Sequence, residues 1–286
     1  MIDLGQWKRL AQRSLNGWID DGASSMGAAI AFYTLLSMAP LLLIVLTIAG
    51  FFFGDEAARG ALEQQLAQLV GPDGAQAVQG ILGNAGNRAG GLVSLLVGLL
   101  TLFIGATTVF AELQTDIDRI WKVQAPRGAG LLRYLRQRLM SFGVILGVGF
   151  LLMVSLVISA IIAALGNLWE QWLVGTEILL QLLNFAVGFA MITALFALIY
   201  KLLPSLRIAW SDVWVGAAVT SLLFGIGKFL IGLYIGKAAI ASSFGAAGTL
   251  VVVIVWVYFS SQIFLLGAEF TYEYARSHGS LAPGVP

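Results

Sequence analysis

Few residues in this chain are equipped for chemistry, and the most conspicuous is Lys228, set in the apolar run LLFGIGKFLIGLYIGK. An ammonium inside a membrane helix persists where it snorkels, pairs with an acid or meets water, and such groups commonly mark substrate or ion pathways. Lys228 stands about 24 Å along a helix from Asp212. That places it near the far boundary, where its stem can also snorkel. Contact with a substrate or lipid headgroup and simple snorkelling are both open readings. Gln181 and Asn184 lie in the outer half of the preceding apolar run, either as cavity residues near Lys228 or as interhelical hydrogen-bonding glue. Tyr33, Thr34 and Ser37 precede Pro40, which removes a backbone donor and kinks its helix. Polar groups beside a kink line a cavity or re-satisfy freed carbonyls. The candidate substrate-binding set is therefore Lys228, Gln181, Asn184, Tyr33 and Ser37.

Most other chemistry is excluded. With no cysteine and a single histidine, His278 in the C-terminal tail, neither a metal site nor a thiol or Ser-His-Asp centre is expected. No phosphate-binding loop is present, so no nucleotide cofactor is expected. Arginines spread along apolar boundaries, without exposed aromatics between them, do not suit nucleic acid. Glu112 and Glu269 end apolar runs, while Asp116 with Arg119 and Asp118 with Lys122 have intrahelical ion-pair spacing. These four acids read as solvated helix ends. No catalytic residue and no enzymatic activity are expected.

The elements that must position these residues follow from composition. Of 286 residues, 59% are hydrophobic and 11% charged, with mean hydropathy +0.89. A soluble domain carries about 25% charged residues, so much of this surface must face lipid. The net charge of +1 gives no global field. Six apolar runs reach spanning length: Met26–Phe53, Gly91–Phe110, Leu139–Leu165, Ile178–Tyr200, Val213–Tyr234 and Ala247–Glu269. They are continuously apolar rather than alternating, which excludes barrel strands. The expected architecture is all-α: one polytopic membrane domain over residues 1–286, with six transmembrane helices. The first residues lack the form of a cleavable signal peptide, and the run from Met26 reads as an uncleaved signal anchor.

Orientation follows from lysine and arginine. Twelve of them (Lys8, Arg9, Arg13, Arg119, Lys122, Arg127, Arg133, Arg136, Arg138, Lys201, Arg207 and Arg276) fall on the side of the termini. Only Arg59, Arg88 and Lys237 fall opposite. The positive-inside rule then puts both termini in the cytoplasm. Leu4, Trp7, Ala11, Leu15 and Trp18 recur at helical spacing among Lys8, Arg9 and Arg13, as an interfacial amphipathic helix does. Leu131–Met140 repeats the pattern. Both segments fit positive-inside anchoring in the bilayer, with anionic lipids at the cytoplasmic face as a further partner. Gly54–Gly90, broken by Gly71–Gly74, reads as an external helical hairpin. Gly91, Gly98 and Gly105 recur every seven residues, while Gly143 with Gly147 and Gly232 with Gly236 form small-xxx-small pairs. Such residues let membrane helices approach closely, within one chain or across a dimer, and the oligomeric state stays open.

GAAIAFYTLLSMAPLLLI (Gly27–Ile44), RYLRQRLMSFGVILGVGFLLMVSL (Arg133–Leu156), Ile199–Gly236 and Ala239–Arg276 resemble blocks of the YihY/BrkB family in the expected order. Asp118, in DRIWKV, stands where the family pattern has Asn. The resemblance implies a six-span bacterial inner-membrane protein. Members of that family have carried labels for ribonuclease, virulence or serum resistance, and transport. A nuclease needs acid-base groups or metals meeting RNA in a polar site, and the sequence offers none. The expected function is a secondary transporter or exporter of a small solute or lipid-like molecule; the alternative is an envelope scaffold or assembly protein.

The topology is directly testable in this cysteine-free chain. An impermeant thiol reagent at the outer face should label Gly86→Cys and spare Ala129→Cys. The reverse labelling overturns the orientation.

Overall fold

The computed structural model describes residues 3–37, 54, 56, 60, 108–123, 177–237 and 248–282. Among these residues all regular structure is helical. The principal helices are α1 (Leu4–Asp20), α2 (Ala23–Ser37), α3 (108–120), α4 (Glu177–Leu202), α5 (Trp210–Lys237) and α6 (Gly248–His278). The chain divides into two compact units. Met1–Asp21, Gln114–Gly225 and Ile263–Pro286 form one; Gly22–Leu113 and Ile226–Gln262 form the other.

α4, α5 and α6 have 26, 28 and 31 residues. At 1.5 Å per residue they exceed the roughly 30 Å of a bilayer's hydrocarbon layer. Among the described residues these three are long and apolar enough to cross a membrane, through Phe185–Leu202, Trp210–Tyr234 and Val251–His278. They overlap the fourth, fifth and sixth expected spans. α2 is the start of the first expected span. Pro40, nearly all of the second and third spans, the hairpin 54–90 apart from three residues, and the segment 131–140 lie outside the described residues.

The first unit is held by a reciprocal contact between α5 and α6. Each helix carries glycine and threonine four residues apart: Gly216 and Thr220 on α5, Gly267 and Thr271 on α6. Thr271 packs on Gly216 where a Cβ would stand, and Thr220 packs on Gly267 in the same way. The pairing of 216 with 271 and of 220 with 267 makes the register antiparallel. Each threonine hydroxyl donates within its own helix, Thr220 to the Gly216 carbonyl at 2.8 Å and Thr271 to the Gly267 carbonyl at 2.7 Å. Both polar atoms are thus satisfied at full burial. Tyr200 of α4 fills the space beside them. Its hydroxyl donates to the Phe264 carbonyl at 2.7 Å and lies 3.2 Å from Thr220 Oγ1. Phe196, Phe224 and Phe264 complete an aromatic cluster around it. Thr193 donates to Ser221 across α4 and α5 at 3.1 Å.

In the second unit, Gly27 of α2 admits the Gln262 side chain, whose Nε2 donates to the Ala23 carbonyl at 3.2 Å. Gly232 has no described residue near where its Cβ would stand. The described close approaches thus pair glycine with a polar side chain rather than glycine with glycine. On the outward surface, α5 exposes Leu222, Ile226, Phe229, Leu230 and Leu233.

Substituting Gly267 by leucine should therefore force α5 from α6 and lower unfolding stability in detergent by about 1–3 kcal/mol, the usual penalty for overpacking. Gly232→Ala should be neutral or stabilise by up to about 1 kcal/mol, the helix-propensity difference. Equal stability for Gly267→Leu and wild type would show that the threonine contact is dispensable.

Candidate functional site

Two helix terminations bring ionisable groups together in the first unit. α1 stops at a turn where Gly22 takes φ of 72°, a conformation glycine adopts without steric cost. The preceding residue, Asp21, sits at that corner, its amide donating to the Gly17 carbonyl at 2.8 Å. α3 ends in a Schellman arrangement. Val123 N–H donates to the Asp118 carbonyl at 2.8 Å, and Lys122 N–H donates to the Arg119 carbonyl at 3.1 Å. The left-handed position, normally glycine, is held by Lys122 with φ of 54°. This conformation costs a non-glycine residue about 1–2 kcal/mol. It also swings the side chain off the helix, so that Nζ reaches both Asp21 carboxylate oxygens at 2.5 and 2.6 Å. The expected Asp118–Lys122 pair therefore does not form, because Lys122 lies past the helix end.

Asp118 acts elsewhere. Its carboxylate accepts from the Ser205 N–H and hydroxyl, both at 2.7 Å, and so fixes the connection between α4 and α5 to α3. A carboxylate offers both oxygens to these two donors, whereas the Asn of the family pattern would offer one. In that connection Lys201 Nζ donates to the Ile208 carbonyl and lies over the Trp210 ring at 5.5 Å. Asp212 closes the other end, accepting from Ser280 N–H at 2.7 Å.

Glu269 completes the cluster, and its position corrects the sequence reading most sharply. It is not a solvated helix end, because α6 continues to His278. Glu269 is 2% exposed. Gly17 of α1 lies so close that a Cβ there would be 2.7 Å from Glu269 Oε2. Trp121, also 2% exposed, donates its indole N–H to the adjacent Ala268 carbonyl at 3.1 Å. Trp7 stacks on Phe270 at 5.9 Å. The carboxyls of Glu269 and Asp21 are within hydrogen-bonding reach of one another. Glu269 Oε1 is buried and has no hydrogen-bond partner among the described residues. Asp116 is likewise buried rather than solvated.

The residues singled out from sequence lie elsewhere. Lys228 is exposed on α5 beside exposed Ile226 and Phe229. Its flexible stem makes that exposure tolerable. Tyr33 is half-buried, and Ser37 donates to the Thr34 carbonyl at 3.0 Å, satisfying its own helix. Gln181 and Asn184 have helical backbone in α4, and their side chains lie outside the description. Of the packing glycines, Gly91, Gly98, Gly105, Gly143 and Gly147 lie outside the described residues. Gly236 is helical in α5 with its surroundings undescribed. His278, expected in the tail, is the last residue of α6, stacked on Tyr274 at 6.0 Å. Among the described residues no group of three histidine, cysteine or acidic side chains converges as a metal site. One sequence signal pointed to Glu269: Phe270, Tyr272 and Tyr274 carry the aromatic character of its run beyond it.

A family model described as virulence factor BrkB matches residues 14–284. A "UPF0761 membrane protein" of Verminephrobacter eiseniae is 29% identical over 93% of this chain and 62% of its own length. One of Pseudoalteromonas translucida is 26% identical over 90% of this chain and 83% of its own. One of Pseudomonas aeruginosa is 26% identical over 88% of this chain and 59% of its own. The chain thus spans less than two thirds of the first and third of these relatives. No solved structure matches it at a significant level. The family match begins within α1 and runs past the end of α6, so the site built by Gly17, Asp21, Lys122 and Glu269 lies inside it, and the chain belongs to the virulence factor BrkB family of multi-pass membrane proteins.

Proposed function

We propose that this chain is a secondary transporter or exporter, moving a small solute or lipid-like molecule across the bacterial inner membrane, and not an enzyme. The observation that carries the reading is Glu269, a buried carboxyl on the longest of the described apolar helices, with one oxygen that has no hydrogen-bond partner among the described residues. Burying such a group costs several kcal/mol unless it is paired or neutralised. Within membrane helices that cost is typically borne where an ion or substrate must be handled. A scaffold gains nothing from it that the Gly–Thr contacts do not already supply. In this reading the chain has six spans, both termini are cytoplasmic, and α1 lies along the inner surface. The exposure of Lys8, Arg9 and Arg13 together with Trp7, Leu15 and Ile19 fits an anionic lipid surface. Lys228 serves as a boundary anchor, while Tyr33, Ser37, Gln181 and Asn184 remain the candidate solute contacts.

The test is counterflow in proteoliposomes of the full chain, screened with small organic ions, sugars and fluorescent phospholipid analogues. At least one class should move, and Glu269→Gln should reduce its flux about tenfold or more, as loss of an ion-handling group in a span would. Lys228→Met and Lys228→Arg should carry wild-type flux. A folded protein that moves no class under any imposed ion gradient supports the scaffold reading instead.

A further inference from the structure

The charges around Glu269 do not balance. Among the described residues, the groups that face it are Asp21 from the α1 corner, Lys122 from the end of α3 and Glu273 one turn along α6. Lys122 is already engaged through both oxygens of Asp21, and its own side chain is 56% exposed. One ammonium therefore neutralises one carboxylate. The second carboxylate, Glu269, is walled by the backbone of Gly17 on one side. The buried Trp121 covers the adjoining Ala268 carbonyl. A buried carboxylate beside a second carboxylate is disfavoured in its charged form, both by lost solvation and by the like charge. A bound proton resolves the imbalance: a protonated carboxyl gives the pair the O–H donor it lacks. A divalent cation is a poorer fit, because the pair offers only carboxylate oxygens from two residues with an ammonium already seated on one of them.

We propose that Asp21 and Glu269 form a proton-binding site, the two carboxyls holding one exchangeable proton between them against the backbone of Gly17. This goes beyond the transport reading and does not require that any solute be moved. The proton is taken up by one carboxylate oxygen and shared by a hydrogen bond with the other carboxyl; its release leaves the pair with both charges facing a single ammonium. Gly17 is what lets α1 close on the Glu269 carboxyl. Any larger residue there would displace α1 from the carboxyl and admit water.

The experiment is an infrared pH titration of the full chain in lipid nanodiscs, following the carbonyl stretch of a buried, protonated carboxyl. Wild type should show such a band and lose it in a one-proton step. Glu269→Gln should lack the band. Asp21→Asn should move the midpoint down by about 1–3 pH units, since a like charge is removed and Lys122 is freed to face Glu269. Lys122→Met should move it up, since the only facing cation among the described residues is gone. Size-exclusion elution checks the fold of each variant. Should Glu269→Gln fail to fold, the opposite shifts in the other two carry the test. The proposal is overturned if wild type shows no such band at any pH at which it stays folded, or if the band persists in Glu269→Gln. It is equally overturned if Asp21→Asn and Lys122→Met shift the midpoint in the same direction. Loss of the band on adding sodium at fixed pH would assign the site to a small cation and overturn it as well.

Discussion

Everything described in the first unit depends on how closely α5 and α6 can approach. Lipid provides no hydrophobic drive between helices, so close packing and hydrogen bonds must hold them together. The reciprocal arrangement of Gly216 against Thr271 and Gly267 against Thr220 supplies both. Missing side chains let the backbones near one another, and the threonine methyls fill the space. Back-bonding to the glycine carbonyls leaves no hydroxyl unsatisfied. Tyr200 then reaches the Phe264 carbonyl only because Gly267 leaves room for it. The same device recurs in polar form: Gly17 receives Glu269, Gly27 receives Gln262 and Gly279 receives Asp212. At each of these five positions glycine acts as a seat for a polar side chain.

That device explains how an acidic group is tolerated on α6. A buried carboxylate without compensation would be expelled by solvation alone. Here its neighbours come from three separate places in the chain: the corner after α1, the end of α3 and the α6 turn itself. Two of the three are fixed by helix terminations rather than by helix faces. Their placement is set by backbone geometry at Gly22 and Lys122, so the charges are held in position before any side chain rearranges.

The three long helices α4, α5 and α6 were legible in the sequence. The apolar runs leading to α4, α5 and α6 are long, unbroken and uncharged for most of their length, and periodicity arguments work best on such segments. The site was not legible, for three physical reasons. The end of the last span was placed at Glu269 because a charge usually marks a boundary, yet aromatic residues extend α6 well beyond it. Salt-bridge spacing paired Asp118 with Lys122 on the assumption that the helix continues, whereas the left-handed turn ends it first. Close helix contacts were expected where glycines repeat along one helix. The working pattern, Gly-Ala-Ala-Val-Thr on α5 and Gly-Ala-Glu-Phe-Thr on α6, has glycine at one end only. That pattern was present to be read, while the meeting of Asp21 with Glu269 is a long-range fact that no local spacing encodes.

Lys122 gives the corner at the end of α3 a property that glycine would not. A glycine stop is unconditional, because its left-handed conformation carries no penalty and needs no partner. A lysine stop is conditional: the conformation is unfavourable by itself and is offset by the contact its ammonium makes with Asp21. Backbone shape and side-chain charge are therefore linked at one residue. Whatever weakens the charge on Asp21 also loosens the reason for α3 to end where it does. The helix terminus becomes a latch whose grip is electrostatic, and Trp121, immediately before it and buried against α6, is the part of the core that the latch holds shut.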